Sequence, residues 1–168
     1  MQHFVCPTCG ETHAGPSFCF GAEYPDFYFS IPLAERDERI EINKDLCVVD
    51  ESHFFIRGRI EIPIIGHDEP FCWNVWTSLS KENFVRVNEL WHEIGREQEP
   101  PYFGWLQTVL PGYPNTLSIK TTVHTQPVGT IPKVRIIEEA HPLLIEQEHG
   151  VTMERALQIV HGLFHSDN

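Results

Sequence analysis

Positive charge is scarce in this chain. Twelve lysines and arginines stand against 24 aspartates and glutamates, for a formal net charge of −12 at pH 7. A surface of that sign repels nucleic-acid phosphates and anionic membranes, so neither is expected as a partner, and it attracts a basic protein. Long apolar runs are lacking too, since none approaches the ~20 residues that span a bilayer. Met1-Gln2-His3-Phe4 does not open a basic-then-apolar leader, so the cytoplasm is the expected compartment. Also missing are a glycine-rich phosphate loop, a dinucleotide fingerprint, a Gly-x-Ser-x-Gly elbow and a calcium loop. Internal repeats and low-complexity segments are absent, and 168 residues suit one domain that buries a core without staples.

Cysteine is present in an odd number, five. In a cytoplasmic chain such cysteines are reduced, buried or metal-bound rather than paired. Cys6-Pro7-Thr8-Cys9-Gly10 is the one stretch whose spacing demands a chemistry, because a tight turn there points two thiolates at one tetrahedral ion. A closed zinc site needs four ligands, and a second Cys-x-x-Cys is lacking. The knuckle must therefore borrow. His13 and Cys47 are the preferred donors, ahead of Cys19 and the pair His161 and His165. Cys47 stands mid-strand among apolar residues and fits equally well as a small core residue. If Cys47 ligates, zinc is a structural staple between the N-terminus and the sheet.

Further along, Phe27 to Pro32 reads as a short aromatic strand, and the charged run from Leu33 to Lys44 as an irregular or briefly helical surface connection. Asp45 to Asp50 is a strand bounded by acidic turns. His53 to Ile65 alternates strictly, with Ile56, Ile60, Ile62 and Ile64 on one face and Arg57, Arg59 and Glu61 on the other. Gly58 suggests a bulge and Pro63 an edge. Phe71 to Leu79 returns as the antiparallel partner. Ser80 caps a helix with the stripe Phe84, Val87, Trp91 and Ile94. The stretch from Tyr102 to Pro114 reads as an aromatic, turn-rich bridge. Leu117 to His124 and Val134 to Ile137 are strands. Pro142 starts a helix that Gly150 stops, and Thr152 caps another with the stripe Met153, Leu157, Val160 and Phe164, supported by Ala156 and Leu163. The prediction is a single α+β domain over 1–168: a mostly antiparallel sheet of about five strands with helices on one face and an N-terminal Cys-x-x-Cys knuckle. The knuckle occupies 1–20, the sheet and central helix 27–137, and the C-terminal helices 142–165.

Two constellations offer a site beyond the knuckle. Arg57 and Arg59 project together from one strand face. They make either a solvated face with weak ion pairs or a carboxylate- or anion-binding fork. His141, before Pro142, is a helix cap or a partner to that fork. The aromatics Trp73, Trp76, Trp91, Tyr102, Trp105 and Tyr113 fill a core or line a pocket, and Trp76, facing away from Trp73, lies exposed or under a second layer. The leading expectation is a non-enzymatic, zinc-stabilised binding protein, in its most specific form an immunity-type protein neutralising a basic toxin. The alternative is an enzyme acting on a small anionic substrate in a pocket around Arg57, Arg59 and His141.

Several motifs, taken in order, resemble a known family: Phe4-x-Cys6-x-x-Cys9-Gly10-x-x-His13, Asp45-x-Cys47-Val48-Val49-Asp50, Phe54-Phe55-Ile56-Arg57-Gly58, Trp73-Asn74-Val75-Trp76, Pro111-Gly112-Tyr113-Pro114-x-Thr116, His141-Pro142-Leu143 and Gln147-x-x-Gly150. Together they are similar to bacterial domain-of-unknown-function family 2199. The resemblance covers nearly the whole chain. It implies a bacterial, cytoplasmic, single-domain protein, and it places Cys6, Cys9, His13, Cys47 and Arg57 in the shared pattern without assigning an activity.

Overall fold

The computed structural model describes residues 3–5, 12–14 and 18–165, with the backbone alone at 3–5, 12–14, 164 and 165. In chain order the strands and helices are β1 (His3–Val5), β2 (Thr12–Ala14), β3 (Cys19–Gly21), α1 (Arg36–Arg39), β4 (Ile40–Ile42), β5 (Leu46–Val49), β6 (His53–Ile62), β7 (Phe71–Leu79), α2 (Lys81–Glu89), β8 (Tyr102–Leu106), β9 (Lys120–His124), β10 (Lys133–Ile136), α3 (Pro142–His149) and α4 (Met153–His165). No helix among the described residues is long and apolar enough to cross a membrane.

The architecture is α+β, but the expected plain antiparallel sheet is corrected. Strands β7, β8, β9, β10 and β6 close into a five-stranded barrel. Strands β5 and β4 extend it beyond β6, and β3 beyond β7. Two pairings are parallel, β3 with β7 and β10 with β6. The β6–β7 hairpin is the long spine, in register from Phe54 opposite Leu79 to Ile62 opposite Phe71. Gly58 is paired with Val75 and forms no bulge. Its role is close approach: a Cβ there would lie 2.6 Å from Val134 Cγ2 and 3.0 Å from the Pro132 oxygen. The glycine lets β10 come against β6 and close the ring.

Alternation sets which side chains go inside. Ile56, Ile60 and Ile62 of β6 pack with Phe71, Trp73 and Val75 of β7 in the main core, under α2, α3 and α4. A second, smaller core lies on the outer side of the spine, where Phe55, Trp76, Cys47 and Val49 are covered by Ile31 and Ile40. Trp76 is thus under a second layer, with its indole N–H donating to the Ala22 oxygen at 3.2 Å.

The caps follow the local chemistry. Ser80 Oγ accepts from the Asn83 amide, and Thr152 Oγ1 from that of Arg155. Pro142 opens α3, and Gly150 ends it at φ +79, where a Cβ would also press on the Pro63 oxygen. Gln147 donates to and accepts from the Ile136 backbone at 3.2 and 2.8 Å, so one side chain completes the edge of β10 as a strand would.

Four local expectations are corrected. Asp26–Ser30 is a 3-10 turn rather than a strand, and the turn brings Tyr28 to stack on Tyr24, which precedes the extended Pro25, at 4.1 Å. The α2 stripe stops short: Ile94 is 97% exposed, beyond the helix end and before Gly95 at φ +89. Tyr102–Leu106 is a strand, not a bridge. In α4 Leu157 of the expected stripe is exposed and Ile159 is buried in its place, while the supporting Ala156 is buried as expected.

Candidate functional site

Because β6, β8, β9 and β10 alternate, one set of side chains fills the barrel and the other stands outside it. The register aligns the outer set. Arg59 lies beside Lys133, Lys133 opposite His124, Arg135 opposite Thr122, Thr122 opposite Phe103, and Lys120 opposite Trp105. Phe103 and Trp105 remain 43% and 42% exposed and meet edge to face at 5.0 Å. With Arg57 at its margin, this face gathers Arg57, Arg59, Lys120, Lys133 and Arg135 from a chain that has 12 cationic side chains. Arginines elsewhere are engaged. Arg39 holds Glu35 and Asp50, Arg86 holds Glu89 and Glu99, and Arg155 holds Glu146. On the face itself Glu61 meets Lys133 at 3.6 Å, and Glu138 accepts the Lys120 amide. Burial, reinforced by the charge of Arg135, holds the His124 imidazole below its ordinary pKa, so it is neutral at pH 7.

Arg57 stands opposite the buried Trp76, and its Nε is buried without a hydrogen-bond partner. Arg59 Nε donates to Asn74 Oδ1 at 3.2 Å. The structure does not bring His141 to them. His141 caps α3: its Nδ1 accepts from the Leu143 amide at 3.1 Å, and its Nε2 lies 3.0 Å from the Asn115 oxygen. Both nitrogens are used by the neutral tautomer that donates from Nε2. Leu143, two residues on, packs into the main core on the other side of β6 from the arginines.

Of the four residues expected to ligate metal, Cys6 and Cys9 lie outside the described residues. His13 is placed by its backbone in β2, opposite Phe4. Cys47 is fully buried in the outer core among Ile40, Val49, Phe55 and Trp76. Burial pushes its thiol up to about 12, so it stays protonated at neutral pH. Among the described residues no three His, Cys, Asp or Glu side chains are grouped to hold an ion. Two cysteines do meet: Cys19 and Cys72 are direct partners in the β3–β7 pairing. Sequence reasoning did not weigh Cys72 as a ligand. The alternation of Phe71–Leu79 already put it on the face away from Trp73, but its neighbour comes from a three-residue strand with no periodic signal.

The described aromatics are mostly core. Trp73 and Trp76 are 2% and 0% exposed. A cavity of about 30 Å³ lies between Trp91, Tyr102, Val123 and Arg96, small beside the roughly 300 Å³ and more of a ligand pocket. Tyr102 lines it, and burial, with the charge of Glu99 nearby, pushes the pKa of its hydroxyl up to about 12.

Comparison with curated proteins and with solved structures returns no match. A family model does match over residues 5–151, from just before the knuckle to the Val151 that bridges Ile64 beyond β6. The ordered motifs and that match agree: the chain belongs to DUF2199, a family of uncharacterised proteins conserved in bacteria.

Proposed function

We propose that this chain is a non-enzymatic binding protein, its N-terminal segment fixed by zinc through Cys6 and Cys9. Its docking surface is the outer face of the barrel around Lys133, Arg135, Lys120, Phe103 and Trp105. The observation behind this reading is the contrast of charge: a chain of net −12 collects cations and two exposed aromatics on neighbouring strands. Exposed aromatics flanked by cations are what an anionic partner with apolar contacts requires. The partner that fits is a short acidic segment of another protein. A long polyanion would run off the face into negative surface within a Debye length or two of about 8 Å.

The test is binding of a labelled oligoglutamate peptide followed by fluorescence anisotropy, with a single-stranded oligothymidylate as comparison. The double variant Lys133→Glu, Arg135→Glu is expected to weaken peptide binding roughly tenfold or more, and added salt should do the same. Trp105→Ala is expected to lose roughly tenfold as well. Equal affinity of wild type and charge-reversed protein would sink the reading.

A second reading, capture of a basic protein, is supported by a separate feature. Glu82, Glu89 and Glu99 border an open groove between α2 and the start of β8, where Arg86 pairs with Glu89 and Glu99 and Lys81 also stands on the rim, so a basic partner would have to displace Arg86. It predicts that an oligolysine peptide binds, and that Glu82→Lys with Glu89→Lys abolishes that binding.

A further inference from the structure

The Cys19–Cys72 pair bears on which residues complete the zinc site, so this inference rests on the zinc part of the proposal above. We propose that Cys19 and Cys72 are the third and fourth ligands of a four-cysteine zinc site, in place of His13 and Cys47.

In the parallel pairing of β3 and β7, Cys19 is opposite Cys72 and Phe20 opposite Trp73. Directly paired residues stand on the same side of a sheet, on strands about 4.8 Å apart. Tetrahedral zinc with bonds of about 2.3 Å sets its sulfurs about 3.8 Å from one another. Two cysteines side by side on adjacent strands reach that separation by rotamer choice, without moving the backbone.

A polar group is already aimed at the sulfur. Asn74, fully buried on the same face of β7 as Cys72, directs Nδ2 at Cys19 Sγ over 3.6 Å. The amide cannot turn round, because its Oδ1 accepts from Arg59 Nε and a guanidinium has no acceptor to offer. The sulfur therefore receives an N–H, the outer hydrogen bond that zinc-bound thiolates take. Binding converts four thiols to thiolates and releases four protons to solvent. The resulting site has charge −2, which Arg59, one amide away, partly offsets.

Cys47 stands too far from Cys72 to share an ion with it. Cys47 pairs with Phe55, whereas Cys72 pairs with Glu61. The six-residue offset along β6 is about 20 Å, far beyond what one ion spans. Cys47 also sits in an apolar cage as a protonated thiol. The first two ligands precede Cys19 in the chain. Val5 of β1 pairs with Thr12 of β2, and Cys6 and Cys9 lie between these two residues in the sequence. β3 then starts five residues after Ala14.

The experiment uses the full chain purified without chelator or added metal. Zinc content is measured first, and affinity then follows from competition with a colorimetric chelator. One zinc per chain is expected. Cys19→Ser and Cys72→Ser are each expected to weaken binding at least 100-fold, Cys47→Ser to leave it unchanged, and Asn74→Ala to weaken it roughly 10–100-fold. Because a cysteine variant can fail to fold, cobalt is also exchanged into the wild-type chain. Sulfur-to-cobalt charge-transfer absorption of four-thiolate strength supports the assignment, and two-thiolate strength overturns it. Bound zinc that survives both Cys19→Ser and Cys72→Ser but not Cys47→Ser or His13→Ala overturns this assignment and leaves the zinc proposal standing. A wild-type chain without zinc or any other transition metal overturns both.

Discussion

Replacing Arg96 with alanine is expected to lower stability by about 3 kcal/mol, a fall in Tm of about 10 °C by thermal unfolding. Arg96 is only 9% exposed. Its guanidinium donates to four backbone oxygens, those of Trp91, Gln126, Pro127 and Thr130, at 2.8 to 3.2 Å. It thereby ties the segment after α2 to the connection between β9 and β10, and its guanidinium carbon lies 5.4 Å from the centre of the Trp91 ring. Alanine removes every donor and leaves the carbonyls to find water in a crowded place. Lysine is expected to recover little, because one ammonium cannot face four oxygens spread round a planar fork. A lysine variant as stable as wild type would show that the carbonyls are otherwise satisfied and would refute this account.

Gly104→Ala is expected to cost about 3 kcal/mol, and Gly58→Val a comparable amount. A Cβ at position 104 would meet the Ser78 carbonyl and lie 2.5 Å from Thr77 Cγ2. Neither neighbour is the loose end of a long side chain, so β8 would have to move off β7. That pairing is already thin, with Thr77 opposite Leu106 and Ser78 opposite Trp105. Gly112→Ala, in a turn with open space around it, is the control for general handling of glycine variants and tests only its own φ of +83. Chemical denaturation of the set decides the matter. A Gly104→Ala midpoint equal to wild type would mean that β8 has slack the structure does not show.

The spine of the fold was legible because it is repetitive. Ile56, Ile60 and Ile62 against Arg57, Arg59 and Glu61 is a period of two, and the answering run from Phe71 to Leu79 has the same period. Ser80, Pro142 and Thr152 were legible because capping is a local reaction between a side chain and the next turn. What could not be read is whatever depends on a distant partner. Tyr102–Leu106 has Gly104 at its centre and prolines before it, which argues against a strand until Ser78 is seen to need the space. The aromatic run from Phe27 looked extended because the ring that Tyr28 stacks on, Tyr24, lies before the turn, across Pro25. The parallel seam between β10 and β6 leaves no mark in either strand alone. The same holds for the sites. Cys6 and Cys9 announce themselves by spacing, whereas Cys19 and Cys72 become neighbours only when β3 is laid on β7. The basic face is likewise spread over β6, β9 and β10, too thinly in each for a charge run to show.

The seam between β10 and β6 also has a meaning in time. Lys133 meets Arg59 across the whole middle of the chain, and the Arg59 amide donates to the Pro132 oxygen at 2.9 Å. Loop-closure entropy makes such a contact form late, after the β6–β7 hairpin and the β8–β9–β10 meander have each assembled from near neighbours. The Arg59 amide is thus a clock for the final step of folding. In pulse-labelling exchange its protection marks the moment at which two preformed ribbons become one closed ring.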